Sequence, residues 1–221
     1  MRIFVYLFIF LTFSSATLAQ KSFEIKDASK YFDIKIKVED CDESGCQGKG
    51  NFSFYKKGTS TPYQVIEHEE TYIDLEWEGK IVTENLPYKT QAAVDVGDYN
   101  FDGMEDVAIC NGRYGNYGAR SYDVYLSSKS AGKFVHNEAL SELGQNYMGL
   151  FDVNKKKKTL SVYGKSGCCF HIEEEYKVVN NRPVKVYAKE EDAMSNDKKV
   201  KITIGTLVNG KWRTKVRYAK Q

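Results

Sequence analysis

Residues 92–110 read AAVDVGDYNFDGMEDVAIC and place an acidic loop between two apolar segments. Each apolar segment has the length of a strand, whereas a helix needs a longer run with a period of about 3.6 residues. Within the loop, Asp98, Asn100 and Asp102 carry side-chain oxygens at positions 1, 3 and 5. The stretch therefore predicts a strand–loop–strand unit whose loop wraps around a cation.

The remaining loop positions match the oxygen ligands that calcium prefers. Gly103 at position 6 permits a sharp turn, and Met104 at position 7 can offer its carbonyl oxygen. Asp106 at position 9 adds a third carboxylate, and three carboxylates this close repel one another without a cation. Calcium takes about 6–8 oxygen ligands. We therefore expect one structural Ca²⁺ bound by Asp98, Asn100, Asp102, Met104 and Asp106.

The acidic loop differs from an EF-hand in two respects. Position 12 is Ile109, where an EF-hand needs a bidentate glutamate, and the flanking residues 92–96 and 107–110 favour strands over helices. The alternative is an ordinary β-turn rich in Asp and Gly, which would not need five matched ligand positions.

Apolar and polar residues alternate with a period of two through most of the chain, as they do in half-buried strands. The clearest runs are residues 32–38, 73–77, 122–126, 170–178, 184–188, 200–204 and 212–218. Asn180-Asn181 and Asn209-Gly210 are turn signals, the second of them a strong hairpin signal, and residues 137–143 predict a short helix. The pattern predicts an all-β fold, with antiparallel sheets in a propeller-like or sandwich arrangement, one calcium loop and little helix.

The first 19 residues predict a cleaved signal peptide. Arg2 precedes an apolar run at residues 3–13, and small residues lead to Ala19. We therefore expect a periplasmic or secreted protein with one domain over residues 20–221 and no membrane span after cleavage. The full chain has a formal net charge of +2, which gives no argument for binding nucleic acid.

Five cysteines lie in this exported chain, where disulfides are favoured over a metal cluster. Cys41 and Cys46 enclose the turn sequence DESG and are expected to form a short clip. Cys110 could join Cys168 or Cys169, or these two neighbours could form a vicinal disulfide. The odd count leaves at least one thiol free or paired with another molecule.

A Gly-rich segment with tyrosine and arginine side chains follows the acidic loop. Residues 111–122 read NGRYGNYGARSY. Tyr and Arg are enriched at binding hot spots. The alternative interpretation is a long connection whose tyrosine rings lie on its own sheet.

Residues 95–103, Asn111-Gly112 and residues 121–126 (SYDVYL) together resemble a family of exported bacterial calcium-binding proteins. Its described member is the periplasmic immunity protein against a peptidoglycan-hydrolase effector of a type IV secretion system. The acidic loop also resembles the calcium loops of FG-GAP and integrin α-chain propeller blades. The resemblance implies a peptidoglycan hydrolase as partner and a loop inserted into its active site. The candidate contact residues are Arg113, Tyr114, Tyr117, Arg120, Ser121 and Tyr122.

The sequence gives little support for catalysis. His68, His136 and His171 have no recognisable nucleophile partner, and neither a Gly-x-Ser-x-Gly elbow nor a zinc-hydrolase histidine pair is present. We therefore expect a protein that is not an enzyme. The alternatives to an inhibitor are a calcium-stabilised adhesion or carbohydrate-binding module and a structural envelope protein.

Overall fold

The computed structural model describes residues 19–25, 29–75, 84–86, 89–91, 93–194 and 199–220. Apart from Ala19, the predicted signal peptide lies outside these residues. The first sheet is a meander of antiparallel neighbours. Its strands are β1 (Ala19–Ile25), β2 (Phe32–Cys41), β3 (Gly45–Lys56) and β4 (Gln64–Asp74).

A short hairpin separates the first sheet from the second, which is again an antiparallel meander. The hairpin consists of β5 (Glu84–Leu86) and β6 (Lys89–Gln91). The second sheet contains β7 (Val94–Gly97), β8 (Asp106–Gly112), β9 (Ser121–Ser128) and β10 (Lys133–His136). The strand–loop–strand unit predicted from residues 92–110 is therefore the pair β7 and β8.

Helix α1 (Glu138–Gln145) connects the second sheet to the third. Asn137 caps it, since its side chain accepts a hydrogen bond of 2.9 Å from the backbone N–H of Leu140. The predicted helix at residues 137–143 is confirmed, with its end two residues later. Within the described part of the chain, α1 and every other helix are too short and polar to cross a membrane.

The third sheet has six antiparallel strands in sequence order. They are β11 (Asp152–Asn154), β12 (Thr159–Ser166), β13 (Phe170–Val179), β14 (Arg182–Asp192), β15 (Lys199–Val208) and β16 (Lys211–Lys220). Asn180 and Asn181 have φ values of 51° and 60°, and Asn209 and Gly210 have 51° and 73°. Both predicted turns therefore have the left-handed backbone that suits a two-residue hairpin loop.

The second sheet lies between two hydrophobic cores. Val107 and Ile109 of β8 pack into a core shared with the first sheet. Ala108 and Cys110 face the opposite way, into a core shared with α1 and the third sheet. A strand buried on both faces reads as a continuous apolar run, as residues 107–110 do. The all-β prediction is confirmed, and the stacked sheets are those of a sandwich.

Two disulfides form in the structure. Cys41–Cys46 clips the ends of β2 and β3, as predicted, and Cys168–Cys169 is a vicinal pair in the turn between β12 and β13. Cys110 is a free, buried thiol. Burial raises its pKa to about 11. Of the three pairings left open by the sequence, the vicinal one is formed.

Candidate functional site

The acidic loop joins β7 to β8 and turns sharply at two residues with positive φ. Phe101 has φ 63° and Gly103 has φ 89°. The carboxylate of Asp98 accepts hydrogen bonds of 3.0 Å from the backbone N–H groups of Asp102 and Gly103. The side chain at position 1 therefore folds over the turn that follows it, and its oxygens lie inside the loop.

Two further side chains of the loop turn inward in the same way. Asn100 Oδ1 accepts a hydrogen bond of 3.2 Å from the backbone N–H of Asp102. Asp102 Oδ1 accepts one of 2.8 Å from Met104. The amide of Asn100 also donates to Asn181 Oδ1 at 3.1 Å, so the turn between β13 and β14 abuts the loop.

Asp106 anchors the root of the loop. Its carboxylate accepts hydrogen bonds of 2.8 Å from the backbone N–H groups of Tyr99 and Ser127. The pKa of Asp106 is raised to about 6, because burial and the nearby carboxylates of Asp102 and Asp98 outweigh the lowering effect of these two hydrogen bonds. The fold therefore places the Asp106 carboxylate close to two others that disfavour its charge.

The donor set of the loop fits calcium, because carboxylate, amide and carbonyl oxygens are its preferred ligands. Each carboxylate oxygen has a second lone pair besides the one used by a backbone N–H. Within the described ranges, no three acidic, histidine or cysteine groups stand in metal-binding geometry. Calcium binding therefore remains a prediction that rests on the residue types and their inward orientation.

Residues 113–118, here named the contact loop, lie between β8 and β9 and include exposed side chains. Tyr114 is 66% exposed and Tyr117 is 59% exposed. The guanidinium of Arg113 lies 5.1 Å from the centre of the Tyr72 ring. Three of the six residues predicted for partner contact, Arg113, Tyr114 and Tyr117, are therefore exposed.

One side of the contact loop is tied to the end of β4. Arg113 Nη2 donates to Asp74 Oδ2 at 2.9 Å, and the Tyr114 hydroxyl donates to Glu70 at 2.8 Å. The hydrogen bond to the Glu70 carboxylate raises the pKa of Tyr114, so the phenol stays protonated. The loop is held against the first sheet by polar contacts.

The other side of the contact loop is tied to the third sheet. The Tyr117 hydroxyl accepts a hydrogen bond from the backbone N–H of Gly167, and Lys165 Nζ lies 4.8 Å from the centre of its ring. The backbone N–H of Asn116 donates to the carbonyl of Tyr147 at 2.8 Å. The vicinal disulfide turn therefore supports the tip of the loop.

The other three candidates are interior residues. Arg120 is 3% exposed and donates to Asp74, and Tyr122 is 1% exposed. Ser121 is fully buried and donates to Asn111 Oδ1 at 2.6 Å. Their side chains stabilise the point where the chain enters β9. The candidate contact residues at the surface are therefore Arg113, Tyr114 and Tyr117.

Several residues that shape the site have no signal in the sequence. Asp74 forms ion pairs with both Arg113 and Arg120. Glu70 forms a hydrogen bond with Tyr114, and Gly167 forms one with Tyr117. Burial raises the pKa of Asp74, but the hydrogen bond from Arg120 contributes to a net pKa below the ordinary value of 3.8. These contacts join residues far apart in the chain, and no local spacing reveals them.

No protein-family model and no curated protein matches the chain. The chain is similar to a solved structure of a Xanthomonas type IV secretion system related protein. The two chains share 25% sequence identity, with a TM-score of 0.68, over 90% of this chain and 94% of the other. The similarity therefore extends over nearly the whole of both chains.

Proposed function

We propose that this protein is an exported, calcium-binding inhibitor of a peptidoglycan hydrolase, which it binds through the contact loop. The observation that carries the proposal is the exposed Arg113, Tyr114 and Tyr117 group, held from the first sheet on one side and the third sheet on the other. Similarity to a type IV secretion system related protein supports a role in that context. The two disulfides are compatible with export.

The chemistry of the contact loop suits the active site of a lysozyme-like glycosidase. Such enzymes use a pair of carboxyl groups on either side of the scissile bond. The guanidinium of Arg113 and the hydroxyl of Tyr114 are hydrogen-bond donors that carboxylates accept. Both side chains already donate to carboxylates of the first sheet, so these donors accept acidic partners in the conformation that the loop has here.

Preorganisation is the second support for the inhibitor proposal. A loop that is ordered before binding loses less conformational freedom in the complex. The contact loop is braced at Glu70, Asp74 and Gly167, and strand β8 connects it directly to the acidic loop. Calcium would fix the root of this continuous segment, so we propose that inhibition depends on calcium.

We also propose that the protein is not an enzyme. Ser141 lies 3.1 Å from His136 Nε2, and the same nitrogen lies 3.7 Å from Asp123. A nucleophile relay needs the two ring nitrogens to serve different partners. The Ser141 hydroxyl instead donates to the carbonyl of Asn137 and accepts from the N–H of Val124, which ties α1 to β9.

The test is turbidity clearing of cell walls by a panel of peptidoglycan hydrolases, with the mature protein added in calcium or in chelator. We expect at least one hydrolase to be inhibited in calcium, and less so in chelator. Tyr114→Ala should weaken inhibition by about ten-fold or more, because exposed tyrosines at interface centres act as hot spots. Tyr31→Ala, which truncates a tyrosine that is 58% exposed elsewhere, should leave inhibition unchanged. Equal effects of the two variants, or no inhibition of any hydrolase, would contradict the proposal.

A carbohydrate-binding module is the second candidate function. A cleft of about 530 Å³ lies beside the acidic loop, and half of its lining residues carry hydroxyl or amide side chains, including Ser127, Ser128, Asn137, Asn180 and Asn181. Such groups hydrogen-bond to sugar hydroxyls. Saturable binding of peptidoglycan fragments without any hydrolase, lost in Asn137→Ala, would favour this candidate.

A further inference from the structure

Strand β16 forms an edge of the third sheet with its backbone open on one side. It pairs with β15 along its whole length, from Lys211 opposite Val208 to Lys220 opposite Lys199. Its other edge carries no strand among the residues that the structure describes. Unpaired N–H and C=O groups in such a row are a template for an added strand.

The two faces of β16 differ sharply in chemistry. Trp212, Val216 and Tyr218 are 47%, 51% and 60% exposed and point to one face of the sheet, because alternate residues of a strand share a face. The opposite face carries a row of cations: Lys211, Arg213, Lys215 and Arg217. Residues 211–220 contain no acidic residue, and in the described ranges none of these four cations lies in an ion pair.

The apolar row continues the core-facing side of the third sheet. Thr214 of β16 pairs with Gly205, Gly205 with Ala188, and Ala188 with Glu174, which is 3% exposed. A Cβ atom on Gly205 would lie 3.1 Å from the Trp212 ring, so this glycine lets the indole lie flat on the sheet. The sheet therefore extends past the core and leaves Trp212, Val216 and Tyr218 without a covering layer in the described structure.

We propose that β16 is a docking edge for an extended segment of another protein, in which acidic and apolar residues alternate. An added strand would place its acidic residues beside the cationic row and its apolar residues beside Trp212 and Val216. It would also pair the open backbone edge. Opposite charges and apolar side chains on neighbouring strands stabilise such a pairing.

Charge and geometry disfavour the other occupants. A second copy paired through its own β16 would set cations beside cations, which is destabilising. A lipid surface or an anionic polysaccharide would meet either the cations or the aromatic row, because these lie on opposite faces. Only an added strand would contact the cationic row and the aromatic row and also pair with the open backbone edge of β16.

The probe is a short synthetic peptide in which glutamate alternates with valine and phenylalanine. The chain contains two tryptophans, so the full chain with Trp77→Phe reports binding through the fluorescence of Trp212 alone. We expect a saturable change in that fluorescence. Arg213→Glu with Lys215→Glu should weaken binding by about ten-fold or more. The matched control, Lys155→Glu with Lys156→Glu in the exposed turn between β11 and β12, should bind as the parent does.

Backbone pairing is tested separately from charge attraction. The same peptide with N-methyl groups on alternate residues cannot pair with β16 through those amides, and we expect its binding to be lost. Retained binding of the methylated peptide overturns the proposal, as do equal losses in the two charge-reversed proteins. Binding to phosphatidylglycerol vesicles in place of the peptide also overturns it, as does self-association that Arg213→Glu with Lys215→Glu strengthens.

Discussion

Glu174 is a buried carboxylate on β13, and its neighbours decide its charge state. Burial raises its pKa, but hydrogen bonds from Lys185, Tyr147 and Tyr176 outweigh burial and hold it below the ordinary value of 4.5. Because the folded pKa is depressed, the ionised group contributes stability above the unfolded pKa. That contribution is lost as the pH falls through the folded pKa.

Glu174→Gln should therefore lower the free energy of unfolding at neutral pH by about 1–3 kcal/mol, since the amide leaves Lys185 without its anionic partner. Denaturant titrations over a pH series should show the difference from the parent shrinking below pH 4.5. Glu67→Gln on the exposed face of β4 serves as the control. A difference that stays constant down to low pH would contradict this explanation.

The calcium prediction also belongs to single residues. Asp98→Ala or Asp102→Ala should lower the melting temperature in calcium and hardly alter it in chelator. A ligand at 100-fold its Kd stabilises a fold by about 2.7 kcal/mol, which sets the size of the expected loss. Glu43→Ala in the exposed turn between β2 and β3 is the control. Equal melting shifts of Asp98→Ala in calcium and in chelator would rule out a structural calcium.

Local residue patterns predicted the acidic loop, because its ligand positions lie within nine residues of one another. The same patterns did not distinguish exposed from buried residues in the Gly-rich segment at residues 111–122. Arg120 is interior because it meets Asp74, which lies 46 residues earlier. Contacts of this kind depend on how two sheets stack, and a single sequence carries no record of them.

At the scale of elements, turn chemistry was the most informative signal. Asn180-Asn181 and Asn209-Gly210 each tolerate positive φ, and both predicted turns connect paired antiparallel strands. Residues 190–192 are all acidic and still belong to β14, since backbone pairing with β15 does not require apolar side chains.

The vicinal disulfide turn is an element whose contribution can be measured. Cys168→Ala with Cys169→Ala should loosen the turn and weaken the hydrogen bond from Gly167 to Tyr117. Amide hydrogen exchange should then rise at Gly167 and in the contact loop. Exchange in β3, which is remote from the turn, is the internal reference. Unchanged exchange in residues 113–118 would mean that the turn does not support the loop.

At the scale of the whole molecule, the sequence predicted antiparallel sheets and left two arrangements open. Propeller blades and stacked sheets both contain meanders of four alternating strands. The apolar run at residues 107–110 would be apolar on both faces in a propeller or in a sandwich, so it does not distinguish the two arrangements. The stacking of three sheets around two cores settles this point in favour of the sandwich.

Cys110 reports on the integrity of the layered core. Its thiol is buried in β8, and burial raises its pKa to about 11. Only the thiolate reacts readily, so a maleimide should label Cys110 no faster than the whole protein unfolds. Mass spectrometry over a denaturant series measures the rate of labelling. Rapid labelling of the native protein would contradict a closed core between the second and third sheets.

In the proposed function, the contact loop occupies the active site of a peptidoglycan hydrolase. The most direct test is competition in calcium between this protein and a non-hydrolysable peptidoglycan oligosaccharide for a hydrolase that the protein inhibits. We expect the apparent Kd of the complex to rise linearly with the oligosaccharide concentration, because the two ligands exclude each other. An apparent Kd unaffected by saturating oligosaccharide would show that the loop does not occupy the active site.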